Sequence, residues 1–382
     1  MLGIITPNYY PRTCGVGDHS ALLANALSLR GQQVVILTRA PAEPHPQAPQ
    51  IQVLGFTGRT PLATALAMLR WLASSELREV LVQYTPQTFN ASRFGSPAIP
   101  LLVRALRARG VRVTVLAHEL FLPWSIRPDI LVASALHRLQ FAALALHSHR
   151  LLVTTESRMR AAASWTRLAR YSPSLLRISP NVTPVPWTPP HSPFRIGCFS
   201  TLAGSKRFDV LLDAFALVAR ALPASELWLL GDMLSRRDRM TRSFQRAVTR
   251  HPARDRIHVP GKQPLPVVAA HIAGLHVFLF PMDTGANTRS GTLPLALGTG
   301  VPVVATCGVE TDPLFQDRVN ILFAPRLAGT PFAEAVLTLQ RNPEFARRIG
   351  AGGRRLHDEH LSWPRITDAL LNSCGSRRSQ WP

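Results

Sequence analysis

Short, continuous apolar runs alternate with amphipathic stretches along nearly the whole chain, and this pattern constrains the fold most. In the first half, strands are predicted at residues 2–6, 33–38, 80–83, 111–117 and 151–155. Strands that are apolar at every position are buried on both faces, which requires helices above and below a parallel sheet. The intervening stretches near 20–30, 60–74, 98–109 and 130–147 predict those helices. The pattern therefore indicates a doubly wound α/β domain.

A proline-dense segment, SPNVTPVPWTPPHSP over 179–193, interrupts this alternation. Proline fixes φ and has no backbone N–H, so the segment predicts a linker rather than a helix or a central strand. The alternation then restarts, with strands predicted at 195–199, 227–230, 257–259, 277–280 and 303–305 and a helix over 208–222. A chain of 382 residues exceeds what one core normally serves. We predict domains at 1–182 and 195–358, a linker at 183–194, and a C-terminal helix and tail at 359–382.

Composition narrows the class of protein. The chain is 46% hydrophobic and 17% charged, as is typical of folded proteins, and no uninterrupted apolar run reaches the ~18 residues that span a bilayer. The first residues have no basic start and predict a strand rather than a signal peptide. The four cysteines, Cys14, Cys198, Cys307 and Cys374, have no metal-ligand spacing. We expect a reduced, cytoplasmic protein without a metal site.

The formal net charge is +21, and Lys206 and Lys262 are the only lysines. An arginine bias of a GC-rich genome and an affinity for phosphate groups both account for this charge. The arginines are spread along the chain, with small clusters such as Arg236, Arg237 and Arg239, and no RNA-binding or helix-turn-helix signature accompanies them. We expect no nucleic-acid partner, whereas attraction to an anionic membrane stays open.

Candidate ligand-binding residues in the first half follow predicted strands, since ligands of open α/β sheets bind at the carboxyl ends of strands. Gly15 and Gly17 allow a backbone to approach a ligand, and the following helix offers free N–H groups; a tight turn explains them equally well. His118 follows one strand, and Gln83 and Tyr84 end another. A lone histidine is more often structural than catalytic; at the end of a strand a functional role for His118 is as well supported as a structural one.

Candidate residues in the second half carry positive charge beside predicted helix starts. Lys206 and Arg207 precede the helix at 208–222, and Arg289 lies just before a short helix predicted from about Gly291. Cations at these places oppose the helix dipole, and a bound diphosphate would offset that cost. Ser290 and Thr292 can cap the helix or donate to a phosphate. The alternative interpretation is a solvated charge pair and an ordinary capped helix.

These four loops, in this order, resemble those of GT-B glycosyltransferases, specifically the retaining bacterial type of family 4. The resemblance covers nearly the whole chain. In the N-terminal half it is carried by CGVGDH (14–19), VLVQYTP (80–86), LAHE (116–119) and ISPN (178–181). In the C-terminal half it is carried by SKRFDVLLDAF (205–215), LWLLGD (227–232), VPG (259–261), LPLALGTGVPVVAT (293–306) and LSWPRI (361–366).

The resemblance implies two Rossmann-like domains facing each other across a cleft, an acceptor domain first and a donor domain second, with the last helix crossing back to the first. It implies a nucleotide-diphosphate sugar (UDP or GDP) as co-substrate, no other cofactor and no metal. The leaving diphosphate would help to deprotonate the acceptor hydroxyl in a front-side displacement. The residues implied as catalytic are His118, Lys206 and Arg289. Those implied to bind substrate are Gly15, Val16, Gly17, Asp18, Gln83, Tyr84, Glu119, Thr201, Arg207, Gly261, Lys262, Leu265, Thr288, Ser290, Gly291 and Thr292.

The chain departs from the family pattern at three positions. Most members of the family carry two glutamates eight positions apart around the helix that follows the fourth loop, and here Asn287 and Leu295 occupy those positions. A bacterial subgroup whose loop is similar to residues 285–292 also lacks the two glutamates. Thr201 replaces the usual arginine five positions before the lysine. Losing a charged hydrogen bond costs roughly 1.5–3 kcal/mol, so either the ribose is held differently or the donor binds weakly.

The alternatives are a non-catalytic protein of this fold, a nucleotide-sugar epimerase and a charge-driven surface module. The acceptor, a glycan, a glycolipid or a small molecule, would be selected by loops at 41–50 and 87–99. The arginine-containing apolar helices at 98–109 and 130–150 predict either ordinary sheet-covering helices or a surface resting on a membrane near a lipid-linked acceptor. The protein would then be peripheral to the inner face of the cell membrane.

Overall fold

The computed structural model describes residues 1–12, 14–89, 92–165, 172–235 and 238–375. It divides into two compact units: Met1–Arg177 together with the chain from Ile366 onward, and Ile178–Arg365. Arg236 and Arg237 lie outside the described residues, as does the side chain of Cys374. Each unit contains one parallel sheet flanked by helices, which confirms the predicted α/β class.

The first unit has a seven-stranded sheet in the order β3-β2-β1-β4-β5-β6-β7. Its strands are β1 Leu2–Ile5, β2 Val34–Arg39, β3 Gln52–Phe56, β4 Glu79–Tyr84, β5 Arg112–Ala117, β6 Arg150–Val153 and β7 Ser174–Leu175. Its helices are α1 Gly15–Ser28, α2 Pro61–Ser74, α3 Ala98–Ala108, α4 Pro128–His147 and α5 Glu156–Ala163. Ile4 of the central strand pairs with Ile36 on one side and Leu81 on the other, and all three are buried.

α4 differs from the expectation that no segment is long and apolar enough to cross a bilayer. It has 20 residues and a mean hydropathy of 1.3, so by length and composition alone it qualifies as a membrane span. The sequence analysis considered only uninterrupted apolar runs. Scattered polar residues interrupt the run in α4, but the mean hydropathy of the helix remains as high as that of a membrane span. In the structure 44% of this stretch is buried, and Phe141 and Leu144 belong to the core of the first unit.

The second unit has a six-stranded sheet in the order β10-β9-β8-β11-β12-β13. Its strands are β8 Phe194–Phe199, β9 Ser225–Leu230, β10 Ile257–His258, β11 Val277–Phe280, β12 Val303–Thr306 and β13 Leu322–Ala324. Its helices are α6 Phe208–Ala221, α7 Arg239–Arg250, α8 Leu265–Ala273, α9 Thr292–Thr299, α10 Gly329–Arg341, α11 Pro343–His360 and the start of α12 Trp363–Gly375.

The predicted linker, 183–194, is packed against the second unit. Trp187 donates from its backbone to the Thr299 carbonyl (2.9 Å) and from its indole to the Leu275 carbonyl (2.7 Å). The division between the units lies earlier, after Arg177. Proline prevents regular structure in this segment but does not prevent packing, because Trp187 supplies both apolar area and a hydrogen-bond donor.

The last helix, α12, contributes to the first unit from Ile366 onward. Ile366 and Leu370 are each 3% exposed, and Arg30 of the first unit forms a salt bridge with Asp368. The helix begins in the second unit, where the Trp363 indole donates to the Pro180 carbonyl at 3.0 Å. The first unit is therefore built from two separate parts of the chain.

Candidate functional site

The strand order of each sheet reverses at one place, between β1 and β4 in the first unit and between β8 and β11 in the second. The loops leaving the two strands at such a point diverge, and ligands of open α/β sheets bind in the resulting crevice. In the second unit those loops carry Lys206 and Arg289. In the first unit they follow β1 and β4, and the loop carrying His118 follows the neighbouring β5.

The two loops of the second unit are joined to each other. The Asp283 backbone N–H donates to the Ser205 carbonyl at 3.2 Å, and the Arg207 guanidinium contacts the Asp283 carboxylate at 3.4 Å. Arg207 also binds Asp209 at 2.6 Å and lies in the left-handed region, with φ 31°. Its charge is therefore compensated by two carboxylates within the loops.

Lys206 ends a single 3-10 turn, Gly204–Lys206, and is partly buried. Its Nζ lies 5.3 Å from the centroid of the Phe280 ring. Burial, followed by the nearby positive charge of Arg289, lowers the pKa of Lys206 to about 8. The structure thus brings two cations together at the predicted place, where a bound anion would relieve both burial and repulsion. Thr201, in the same loop, is exposed.

The loop leading to Arg289 is held by the loop after β12. Three backbone hydrogen bonds join them: Ala286 N–H to the Thr306 carbonyl (2.9 Å), Glu310 N–H to the Thr284 carbonyl (2.8 Å) and Asp312 N–H to the Ala286 carbonyl (3.0 Å). Thr288, fully buried, donates from its hydroxyl to the Asp312 carboxylate at 3.4 Å. An irregular segment thereby acquires a fixed shape.

This bracing also brings in an acid that the sequence analysis missed. Asn287, which replaces the first of the family's two glutamates, is buried and donates from Nδ2 to the Glu310 carboxylate at 3.4 Å. Its Oδ1 accepts the Arg289 backbone N–H at 3.2 Å. Leu295, at the second position, is part of the core. In the sequence, Glu310 could be recognised only as a residue in the loop that follows the strand at 303–306. That position does not indicate which other loop Glu310 contacts.

The helix α9 begins without a side-chain cap. Gly291 is its N-cap residue, so of the two roles considered for Ser290 and Thr292 the capping of this helix is excluded, and donation to a phosphate stays a prediction. Both of those side chains are partly exposed instead. A Cβ on Gly291 would lie 3.3 Å from Asn181 N and Pro180 Cα, which explains the glycine by packing. The first N–H groups of a helix have no partner within the helix, so those of α9 can donate to an anion.

The predicted substrate-binding residues Gly261, Lys262 and Leu265 lie in the segment that joins β10 to α8. Gly261 has φ +74°, and a Cβ there would meet nothing within 4 Å. Lys262 is exposed, and Leu265 is the partly buried first residue of α8. The glycine is needed here for its backbone conformation, and the space around it is open.

In the first unit the predicted His118 is almost fully buried at the end of β5. Its Nε2 lies 2.5 Å from Gln83 Oε1, and its ring centroid is 5.2 Å from that of His19, in an edge-on arrangement. An amide oxygen only accepts, so Nε2 carries the proton and Nδ1 is the acceptor. Burial, then His19 and Arg158, holds the pKa of His118 well below its usual value. The imidazole is therefore neutral at pH 7.

The predicted glycine loop differs from expectation, because α1 already begins at Gly15. Gly17 lies in its first turn, where a Cβ would come within 2.6 Å of the Asn8 carbonyl oxygen. This glycine allows the helix to pack on the segment after β1, rather than leaving a loop open to ligand. Val16 is partly exposed, and the Asp18 carboxylate lies 3.4 Å from His45 Nε2.

Tyr84 and Glu119 complete the predicted residues of the first unit. Tyr84 is 1% exposed, and within the described part of the chain no hydrogen-bond partner accompanies its hydroxyl. Glu119 is exposed beside His118. His19 and Tyr9 were not singled out from the sequence although both border this site; burial lowers the pKa of His19 to about 4 and raises that of Tyr9.

No group of three or more His, Cys, Asp or Glu side chains is arranged to hold a metal ion among residues 1–12, 14–89, 92–165, 172–235 and 238–375. The positive charge of the second-unit site comes from Lys206, Arg289 and the start of α9. Such a site can bind a diphosphate and stabilise negative charge that develops on it.

Three solved structures illustrate what this chain resembles. A sucrose-phosphate synthase from Thermosynechococcus elongatus superposes with a TM-score of 0.74 at 15% identity, covering 98% of both chains. HepE from Anabaena, in complex with UDP and glucose, gives 0.73 at 14% identity, covering 98% of this chain and 99% of that one. WaaG, a glycosyltransferase involved in lipopolysaccharide biosynthesis, gives 0.63 at 12% identity, covering 98% and 100%.

Sequence comparison is informative for the second unit. No curated protein sequence matches the chain. The family model described as glycosyl transferases group 1 matches residues 193–342, which include β8 through α10 and therefore both Lys206 and Arg289. Residues 193–342 thus form a glycosyl transferases group 1 domain, and the chain as a whole has the GT-B fold of glycosyltransferases.

Proposed function

We propose that this protein is a glycosyltransferase that moves a sugar, of hexose type, from a nucleotide-diphosphate sugar to an acceptor hydroxyl. UDP is the nucleotide we favour, because HepE, one of the structures of similar fold, is known in complex with UDP-glucose. The observation that carries the proposal is the pair of cations, Lys206 and Arg289, at the reversal of strand order in a group 1 domain.

We propose further that transfer retains the configuration at the anomeric carbon and needs no metal. The bond from that carbon to the diphosphate oxygen breaks while a bond to the acceptor oxygen forms on the same face. The acceptor proton passes to an oxygen of the leaving diphosphate. Lys206, Arg289 and the first N–H groups of α9 would stabilise the charge on that diphosphate, the role a metal ion has in other enzymes.

Glu310 is our candidate for the carboxylate that the family pattern lacks here. A carboxylate accepts hydrogen bonds from hydroxyl groups, and Glu310 is two hydrogen bonds from the backbone of Arg289, through Asn287. We propose that it binds a hydroxyl of the donor, either of the ribose or of the transferred sugar. Leu295, buried in the core, cannot take this role.

His118 is our candidate for a contact to the transferred sugar. Because its imidazole is neutral and its Nε2–H is donated to Gln83, the residue offers an acceptor on Nδ1. A neutral acceptor suits a sugar hydroxyl better than it suits a diphosphate. Replacing His118 by alanine should therefore reduce turnover more than it reduces UDP affinity.

Titration calorimetry with UDP, GDP and ADP tests the donor site, and sugar release from UDP-glucose tests catalysis. Lys206→Ala and Arg289→Ala should each weaken UDP binding roughly tenfold or more, since each removes a charged hydrogen bond. Arg220→Ala, in the exposed last turn of α6, is the matched control and should bind as the wild type does. If both Lys206→Ala and Arg289→Ala bind UDP with the same Kd as the wild type, the diphosphate does not bind at these two residues.

The alternatives give different outcomes in the same experiments. UDP binding without sugar release or transfer, over a panel of donors and acceptors, would favour a non-catalytic protein. Conversion of the donor into an isomer without acceptor would favour an epimerase. Unchanged turnover in EDTA supports metal independence, and NMR of the product's anomeric proton tests retention.

A further inference from the structure

The helix α4 exposes a continuous apolar surface. Five of its residues, here called the α4 stripe, are between 39% and 65% exposed: Leu131, Val132, Leu136, Leu139 and Leu146. Val132, Leu136, Leu139 and Leu146 follow one another at helical spacing, so they share one face. The neighbouring Ile126 and Trp124, just before the helix, are 101% and 57% exposed. An apolar surface of this kind on a folded unit indicates an interaction site.

Four of the buried side chains of the same helix are polar, Ser134, His137, Arg138 and Gln140, and they lie before the core residues Phe141 and Leu144. Ser134 Oγ and Arg138 each donate to the Leu122 carbonyl, at 2.8 and 2.9 Å. His137 bonds to the Arg93 carbonyl (2.8 Å), and Gln140 donates to the Phe94 carbonyl (3.3 Å). A surface helix in water normally buries its leucines and exposes such side chains. α4 does the reverse from Leu131 to Gln140, so the outer face of this part is adapted to an apolar environment.

Arginines border both ends of the α4 stripe. At the start of the helix, Arg93 and Arg127 share the single carboxylate of Asp129, which leaves net positive charge there. At its end, Arg107 donates to the Leu146 carbonyl at 3.1 Å. Burial, then the charges of Arg104 and Arg107, lowers the pKa of His147, which places both arginines beside the last turn.

We propose that the α4 stripe docks on an anionic lipid surface, with α4 lying in the plane of the membrane. Apolar side chains would enter the boundary between headgroups and acyl chains, while the flanking arginines bind lipid phosphates. The same chemistry explains why apolar and basic groups occur together, which a purely apolar protein partner would not require. The inference does not depend on the proposed sugar transfer.

Docking in the plane also explains how a helix with the length of a membrane span can belong to a folded unit. Crossing the bilayer would pull Ser134, His137 and Arg138 away from the backbone groups they bind. Those polar groups would then lie in hydrocarbon, which is costly. Lying flat keeps them inside the protein and puts only the stripe into lipid.

Flotation of the full chain with vesicles tests the proposal. We expect the protein to float with vesicles of phosphatidylcholine mixed with phosphatidylglycerol, far less with phosphatidylcholine alone, and to be released by high salt. Leu136→Ser/Leu139→Ser should reduce the bound fraction on the order of tenfold, because two exposed leucines no longer enter lipid. Arg104→Gln/Arg127→Gln should reduce it to a similar degree.

The matched control is Leu62→Ser/Leu66→Ser on α2, where the two leucines are 44% and 45% exposed in the same unit. This control should float like the wild type. Binding of Leu136→Ser/Leu139→Ser equal to the wild type, or equal binding to neutral vesicles, would overturn the proposal. The proposal would also be overturned if the wild type is a dimer that does not float and the stripe substitutions convert it to a monomer. The stripe would then bind a second copy of the chain. Single Leu139→Ser, at 65% exposure, repeats the test if the double variant fails to fold.

Discussion

Lys206 and Arg207 are adjacent in sequence, yet the structure gives their charges different surroundings. Arg207 is bound by Asp209 and Asp283, whereas Lys206 is partly buried near Arg289 and over the ring of Phe280. An ion pair needs no ligand, but a partly buried lysine close to another cation gains free energy when an anion binds. The residue to test for diphosphate binding is therefore Lys206.

Donor affinity should depend on pH through Lys206. Its pKa in the free protein is about 8, so the ammonium is charged below that pH and becomes neutral above it. UDP affinity should therefore be constant on the acid side and fall as the pH rises through 8, with proton uptake on binding. Calorimetry in buffers of different ionisation enthalpy measures both. Lys206→Arg, which stays charged, should remove the fall, and an identical profile in that variant would contradict the assignment.

Glu310→Gln separates the two hydroxyls that this carboxylate can bind. Loss of a charged hydrogen bond should weaken binding by about tenfold to a hundredfold. If the partner is the ribose, UDP and UDP-glucose lose affinity equally; if it is the sugar, only UDP-glucose does. Glu334→Gln, exposed on α10, is the control. Unchanged affinity for both ligands would exclude Glu310 from the donor site.

Sequence reasoning singled out Lys206 and Arg289 but not Glu310, and the reason is physical. Lys206 and Arg289 each precede a helix, so a local pattern shows that they oppose its dipole. Glu310 meets Asn287 only because two loops are hydrogen-bonded to each other, which depends on tertiary structure. The same holds for His19, whose significance comes from the ring of His118 beside it.

At the scale of elements, the loops after β11 and β12 interlock at Gly285. This residue has φ +93°, and a Cβ would lie 2.2 Å from Thr311 Oγ1 and 2.5 Å from Gly308 N. The shape of the segment from Thr284 to Arg289 thus depends on close approach of two backbones. The ten strands predicted from apolar runs all lie in the two sheets, whereas the strands β3, β7 and β13 were not predicted.

Gly285→Ala should destabilise the second unit by about 2–4 kcal/mol, from the left-handed backbone and from steric overlap together. Gly261→Ala has a similar φ of +74° but open space around it, so about 1 kcal/mol is expected there. Thermal unfolding followed by circular dichroism measures both. Equal losses would mean that the interlock contributes nothing beyond backbone conformation.

The helix α4 shows that a sequence can predict an element without predicting which of its faces is exposed. Its sequence contains apolar residues all around, with Ser134, His137, Arg138 and Gln140 among them. Periodicity gives the helix but assigns polar side chains to the solvent side by default. The structure assigns them inward, because carbonyl groups at 93, 94 and 122 accept their hydrogen bonds.

At the scale of the whole molecule, the second unit is continuous in sequence and has its own core. Two hydrophobic clusters, one around Phe215 and one around Phe278, lie within 178–365. The first unit, in contrast, needs Ile366 and Leu370 from the far end of the chain. The sequence pattern predicted where one sheet ends and the next begins. It did not predict which unit contains the proline-dense segment, because that depends on the packing of the segment in the folded protein.

A fragment of residues 178–365 should therefore fold alone, with a single cooperative thermal transition and measurable UDP binding. A fragment of residues 1–177 should be aggregation-prone, because it lacks the buried side chains of α12. Supplying a peptide of residues 363–375 in trans should improve its solubility. Light scattering and circular dichroism of the purified fragments check this, and a soluble, stably folded 1–177 fragment would show that α12 is dispensable.

The helix α12 also sets the order in which this protein is completed during synthesis. Met1–Arg177 is translated before the second unit, whereas Ile366 and Leu370, which the first unit needs, are translated after it. The part made first is thus finished last, and it must stay unaggregated while the whole second unit is translated and folds. Demand for chaperones should accordingly concentrate on the nascent first unit, and truncation by a late stop codon should harm the earliest residues most.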